Sequence, residues 1–191
     1  MSDKLIRVFI AIDVPDSIRN VANVLKRKMD EKNNPVKWVR TENIHITLRF
    51  IGSTIAKEVE KLNTLLSVLT TRYSEFPLVV SGTGCFPKIE RPRVLWLGVG
   101  GSVSVLNRIV QEISEEMAII GYPIEATEYY PHITIGRIRY PQKVTPNIGS
   151  FLSADYPPAE INVSNIRLYR SETLPGGSVY SLLGTHHLCP K

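Results

Sequence analysis

His45-Ile46-Thr47-Leu48-Arg49-Phe50-Ile51-Gly52 and His132-Ile133-Thr134-Ile135-Gly136-Arg137 are two versions of one phrase, and reading them together decides the fold. The two histidines are 87 residues apart, and a second anchor, Arg7-Val8 against Arg93-Val94, repeats at an offset of 86. One extra residue between anchors is an ordinary loop change. The offsets predict an internal duplication.

The chain around the first phrase reads as strand, helix, strand, strand, helix, strand. Arg7–Asp13 is β-branched and aromatic, as a buried strand requires. Asp16 can cap a helix in which Ile18, Val21, Ala22, Leu25 and Met29 recur at helical spacing until Asn33-Asn34-Pro35 stops it. Strands at Val36–Arg40 and Ile44–Ile51 follow. Gly52-Ser53-Thr54 then turns into a helix with Ile55, Val59, Leu62, Leu66 and Leu69 on one face, and Pro77–Ser81 closes the half. Around the second phrase, Val94–Val99 is a strand. Ser102 caps a helix with Val105, Leu106, Ile109, Ile113 and Met117 inward, and Gly121 ends it in the left-handed conformation. Strands at Ile124–Glu128 and His132–Ile138 and a short helix near Asn147–Ala154 come next. A hairpin, Ile161–Tyr169 and Val179–Leu183, turns at Leu174-Pro175-Gly176-Gly177.

Each half thus reads β-α-β-β-α-β. The expected fold is an α+β bilobal internal duplication, with mainly antiparallel sheets facing a central cleft. It forms one domain, with lobes at about residues 1–90 and 91–191 and strand exchange between them allowed.

Composition narrows the function classes. A chain of 191 residues that is 43% hydrophobic and 21% charged can bury a real core, which excludes wholesale disorder. The apolar run Val8–Ile12 ends at Asp13, too short for a signal segment or a membrane span, so a cytoplasmic protein with no membrane partner is expected. Two cysteines, Cys85 and Cys189, make no disulfide scaffold. A net charge of +5 and a pI near 9.2 favour anionic partners such as RNA, DNA or phosphorylated small molecules.

Side chains alternate across a strand, so His45, Thr47 and Arg49 share one face while Ile46, Leu48 and Phe50 share the other. His132 and Thr134 likewise oppose Ile133 and Ile135. With the apolar faces on the helices and the lobes related by an approximate two-fold axis, two imidazoles and two hydroxyls meet across a cleft. That set suits displacement at a phosphodiester: a neutral imidazole takes a proton from the attacking water and a protonated one gives a proton to the departing oxygen. Histidine fits both roles because its unperturbed pKa is about 6.5. The threonines can donate hydrogen bonds to phosphate oxygens, and no metal is required.

A lone His-x-Thr-x is usually only a half-buried strand, but two copies at equivalent positions, in a chain with four histidines, are far more specific. A zinc site would find only two good ligands here, and no Gly-x-Ser-x-Gly elbow supports a serine hydrolase. Arg137 lies five residues after His132, on the opposite face of a regular strand, unless Gly136 supplies a bulge that turns it into the cleft. Arg49, on the His45 face, is a second phosphate candidate. Tyr130, two residues before His132, can stack on a nucleobase. Trp38 and Phe9 divide between that role and packing, with core packing favoured for Phe9. Arg40 and Arg139 read as solvated strand ends rather than RNA contacts, and His186-His187 near Cys189 as an exposed, inert tail.

The paired phrases resemble the two HxTx motifs of the 2H (two-histidine) phosphoesterases, and within them the RNA 2′,3′-cyclic phosphodiesterases, also called 2′-5′ RNA ligases. The resemblance spans nearly the whole chain, through Arg7–Ala11, Trp38-Val39-Arg40, both motifs, Pro92–Trp96 and Ser171-Glu172-Thr173-Leu174. It implies His45 as proton donor and His132 as proton acceptor, a distinction the residues alone do not make. It also implies Thr47, Thr134 and Arg137 at the phosphate and no cofactor. The implied reaction hydrolyses an RNA 2′,3′-cyclic phosphate end, tRNA-derived ends included, to a 2′-phosphate, with the chain acting as a monomer. With an RNA 5′-hydroxyl instead of water, the same groups would reversibly form a 2′-5′ linkage. A phosphodiesterase acting on a small cyclic nucleotide and a non-catalytic RNA-binding module are the alternatives.

Overall fold

The computed structural model describes residues 4–29, 35–139, 145–175 and 177–191. Asn33-Asn34, read as a helix stop, and Gly176, read as part of a turn, fall outside them. The first half of the chain contributes β1 (Leu5–Asp13), α1 (Asp16–Lys28), β2 (Val36–Trp38), β3 (His45–Ile55), α2 (Val59–Thr70) and β4 (Phe76–Phe86). The second contributes β5 (Val94–Gly101), α3 (Val103–Ile119), β6 (His132–Ile138), α4 (Gly149–Leu152), β7 (Ala159–Val163), β8 (Asn165–Leu174) and β9 (Gly177–His187).

Among the described residues nine strands join one sheet in the order β7-β4-β5-β6-β3-β1-β8-β9, with β2 also on β6, and the pairings between strands are antiparallel. Pairing does not divide the sheet at residue 90. β4 lies between β5 and β7, while β8 and β9 extend the side that holds β1 and β3. Helices α2 and α3 lie over β8, β9 and β3, and α4 lies over β4. The core they share with the sheet includes Leu62, Leu66 and Leu69 of α2 and Leu106, Ile109, Ile113 and Met117 of α3. These are the apolar faces that helical spacing predicts.

Where the sheet narrows, the two phrases touch. β3 meets β6 through a single residue pair, Ile46 with Ile133, and both isoleucines are fully buried. Further along the same edge of β6, β2 takes over, pairing Trp38 with Gly136 and Val36 with Ile138. The edge therefore changes partner from β3 to β2, and a cleft opens beside that junction.

Several local expectations are corrected. Residues 124–128 form no strand. The duplication suggests why: Gly136 leaves room for β2, since a Cβ there would come within 2.8 Å of Val36 Cγ1. At the equivalent place the first phrase carries Arg49, which donates to the Pro123 carbonyl instead. The continuous run 161–169 breaks at Ser164 into β7, which pairs with β4, and β8, which pairs with β1. Pro15, not Asp16, is the N-cap of α1, and Ser102 caps α3 without a side-chain hydrogen bond. Gly121 does take φ +96°, and the Tyr122 and Gly121 amides donate to the Met117 and Ala118 carbonyls, the Schellman arrangement. His186 is no tail residue: it is 5% exposed on β9 and held by Ser67 Oγ at 2.9 Å and Asn63 Oδ1 at 3.0 Å from α2. Among the described residues, no helix is long and apolar enough to cross a membrane.

Candidate active site

The Ile46–Ile133 pair fixes the geometry of the site. In an antiparallel register, one step either way sets His45 opposite Thr134 and Thr47 opposite His132. Because Ile46 and Ile133 both point into the core, all four polar side chains emerge on the other face. Side chains directly opposite on such a pair sit about 5 Å apart at Cβ, close enough to converge on one small group.

Each imidazole is oriented in the same way. The Nδ1 of His45 donates to the Asn43 carbonyl and that of His132 to the Tyr130 carbonyl, both at 2.7 Å and both two residues upstream. A carbonyl only accepts, so the hydrogen sits on Nδ1 and Nε2 is left as the working nitrogen of each ring. Nε2 of His45 lies 2.9 Å from Thr47 Oγ1. Each ring also rests on an aromatic bed contributed by distant strands. Phe9 and Tyr180 lie 5.0 and 5.5 Å from His45, with Tyr169 stacked on Phe9. Phe86 and Trp96 lie 5.1 and 6.5 Å from His132, and Tyr130 packs on both.

Burial among these rings lowers the pKa of both histidines by disfavouring their charged forms. The opposing influences differ. His45 is pulled back up by the Asn43 carbonyl and by the Asp13 carboxylate, then pushed down by Arg137 and His132. His132 is pulled up by the Tyr130 carbonyl and pushed down by Arg137. Asp13 pairs with His45 across β1 and β3, and its carboxylate accepts from Tyr169 Oη at 2.6 Å and pairs with Arg167.

Two matching β-bulges decide which basic residue reaches the cleft. Opposite β5, the register of β6 slips between Thr134 and Gly136, so Arg137 returns to the His132 face. There it lines a cavity of about 440 Å³ together with His45, Thr47, Thr134 and Phe50. Opposite β1, the register of β3 slips between Thr47 and Arg49, which reverses the faces of Arg49 and Phe50. Arg49 is therefore no phosphate ligand: it is 4% exposed on the helix side, where it donates to Ser114 Oγ at 2.8 Å. Phe50, expected on the core face, is 57% exposed and lines the cleft. The equivalent positions of the duplication thus supply an arginine from one half and a flat ring from the other.

His132 does not line that cavity directly. It sits beside it, next to Thr47 in register, and both His132 and Arg137 act electrostatically on His45. Tyr130 is exposed but packs over Phe86 and Trp96 rather than lining the cavity. Phe9 is buried on the cleft face beneath His45, and the Trp38 ring lies over Gly136. Among the described residues, no group of three or more His, Cys, Asp or Glu side chains could hold a metal ion. Sequence reasoning missed Asp13, Phe50 and the aromatic beds. Phe50 had a signal, since aligning the phrases places it where Arg137 stands.

A duplicated sheet that presents two His-x-Thr pairs from one antiparallel junction defines a phosphoesterase of the two-histidine type. The model of the LigT-like phosphoesterase family matches residues 12–96 and 101–180, and the chain belongs to that family. A Thermotoga maritima protein named RNA 2′,3′-cyclic phosphodiesterase is 33% identical over 178 residues, covering 93% of this chain and 92% of its own. One of the same name from Aeropyrum pernix is 35% identical over 151 residues, covering 78% of this chain and 84% of its own. Among solved structures, a Thermus thermophilus protein superposes with a TM-score of 0.79 at 25% identity, over 97% of this chain and 99% of its own. Escherichia coli LigT, crystallised with 3′-AMP, shares the fold with a TM-score of 0.76 at 24% identity, over the same fractions. The chain is a phosphodiesterase by family, an enzyme of the hydrolase class.

Proposed function

We propose that this enzyme hydrolyses the 2′,3′-cyclic phosphate at the end of an RNA to a 2′-phosphate by proton transfer between two histidines. The observation that carries the reading is the matched pair of imidazoles, each with Nδ1 tied to a backbone carbonyl, which leaves Nε2 as the nitrogen for proton transfer, that of His45 beside Thr47 Oγ1. Water attacks phosphorus as His132 Nε2 takes its proton. The bond to the 3′ oxygen breaks as His45 Nε2 delivers a proton to it. Thr47, Thr134 and Arg137 hold the non-bridging oxygens, where charge grows in the transition state. RNA as the substrate is supported by the names of the relatives and by the basic balance of the chain. The exposed ring of Phe50 in the cleft, and that of Tyr130 near His132, offer faces for bases. With an RNA 5′-hydroxyl in place of water, His132 takes the proton of that hydroxyl, His45 protonates the departing 3′ oxygen, and a 2′-5′ linkage forms; in the reverse reaction, closure of the ring with loss of the 5′-hydroxyl RNA, the two histidines exchange roles. The same reading has a monomer acting in the cytoplasm on RNA ends, those of tRNA included.

Asp13 supports the division of labour. Arg137 acts on both rings and favours their neutral forms, but beside His45 the Asp13 carboxylate opposes it and favours the protonated form, as an acid needs. Asp13→Asn therefore lowers the pKa of His45. The acid limits the rate at high pH, so the alkaline limb of the kcat/KM profile moves to lower pH while the acidic limb stays. The activity above neutral pH therefore falls, while that on the acidic limb is unchanged. An alkaline limb that does not move contradicts the assignment of His45.

Metal independence is tested directly. Turnover of a cyclic-phosphate oligonucleotide in excess EDTA is expected within twofold of the untreated rate. A loss restored by zinc or magnesium contradicts the mechanism.

A further inference from the structure

A smaller cavity of about 180 Å³ adjoins the one that holds His45, and the two share Val39, Asn43, Arg137, Ser178 and Tyr180 as common walls. The annex lies between β2, the segment that follows it, and the start of β9. Lys37 and Arg40 enter its lining beside Arg137, and among the described residues neither cavity is lined by an aspartate or glutamate. Arg40 leans over the start of β9, where a Cβ at Gly177 would come within 3.7 Å of its Nε. The positive lining exceeds the need of the reaction. A nucleoside 2′,3′-cyclic phosphate brings one negative charge, and Arg137 with the two threonines already answers it. Lys37 and Arg40 line a space one wall away.

We infer that the annex seats a second phosphate, the 5′-phosphate that joins the terminal nucleoside to the rest of the strand. The inference rests on the cyclic-phosphodiesterase reading above and extends it to substrate choice. The 5′ oxygen departs from the same ribose that carries the cyclic phosphate, so the next phosphate lies one sugar away from the reacting one. A cation-lined space continuous with the catalytic cavity is the chemistry that recognises it. The enzyme is thereby selective for the end of a strand over a free cyclic nucleotide, without reading base identity.

Three substrates test this: adenosine 2′,3′-cyclic phosphate, its 5′-phosphorylated form, and the dinucleotide ApA ending in a cyclic phosphate. The readout is the ratio of kcat/KM for each phosphorylated substrate to that for the nucleoside, in the wild type and in Lys37→Ala/Arg40→Ala. At low salt both ratios are expected to be about tenfold or more, to shrink as salt rises, and to fall near one in the double variant. Ratios near one in the wild type, ratios that survive the double substitution, or a gain seen only with the dinucleotide overturn the phosphate seat while leaving the hydrolytic reading intact. No turnover of any of the three overturns both.

Discussion

His45→Ala and His132→Ala each lower kcat on a cyclic-phosphate oligonucleotide by about 10²- to 10⁴-fold, the contribution of a positioned acid or base. The losses do not multiply. Once one proton carrier is gone the other has no concerted partner, so the double variant is expected close to the worse single one. Neither substitution touches the Ile46–Ile133 junction or the helix-side core, so the far-ultraviolet circular dichroism and cooperative unfolding are retained. His45→Asn and His132→Asn, which keep a polar side chain in each place, serve as a second pair should either alanine variant unfold. Near-normal rates in both single variants, with the fold intact, contradict the account of catalysis.

Arg137→Ala is expected to cost about 10²- to 10³-fold in kcat, the range seen when one preorganised donor to developing charge is removed. The side chain is exposed near the end of β6, so stability is expected to change little. Removing it also releases both histidines from a nearby cation, so their pKa values rise and the profile shifts upward in pH. Arg137→Lys keeps the charge but not the planar fork and recovers only part of the rate. A change confined to KM would assign Arg137 to ground-state binding alone and contradict its place at the transition state.

The residues that alternate along a strand were readable without any partner in view. His45 with Thr47, and His132 with Thr134, needed only the period of two, and the duplication told which faces had to meet. The bulges were not readable in that way, because a bulge is a property of two strands. Whether Thr47 to Arg49 slips depends on β1, and whether Thr134 to Gly136 slips depends on β5. The glycine in the second phrase hinted at the slip that turns Arg137 inward. The first phrase has no glycine at that place, so Arg49 and Phe50 were assigned to the wrong faces. Arg49 instead satisfies the Pro123 carbonyl in a segment where regular alternation suggested a strand.

The aromatic beds were hidden for a different reason. Tyr169 and Tyr180 sit more than 120 residues beyond His45 and reach it only because β8 and β9 return to β1. Asp13 faces His45 only through the β1–β3 register. His186 looked like a tail because β9 runs on to His187, past the point where the apolar pattern fades, and docks there on Asn63 and Ser67 of α2.

The central claim is that the Nε2 atoms of His45 and His132 address one phosphate. Nitrogen-15 NMR of the histidine side chains during a titration with inorganic phosphate tests it most directly. The account predicts that the Nε2 resonances of His45 and His132 shift together along one binding curve, while those of His186, on the far side of the sheet, stay still. A response from only one of the two catalytic rings, or two curves with separate affinities, would contradict it.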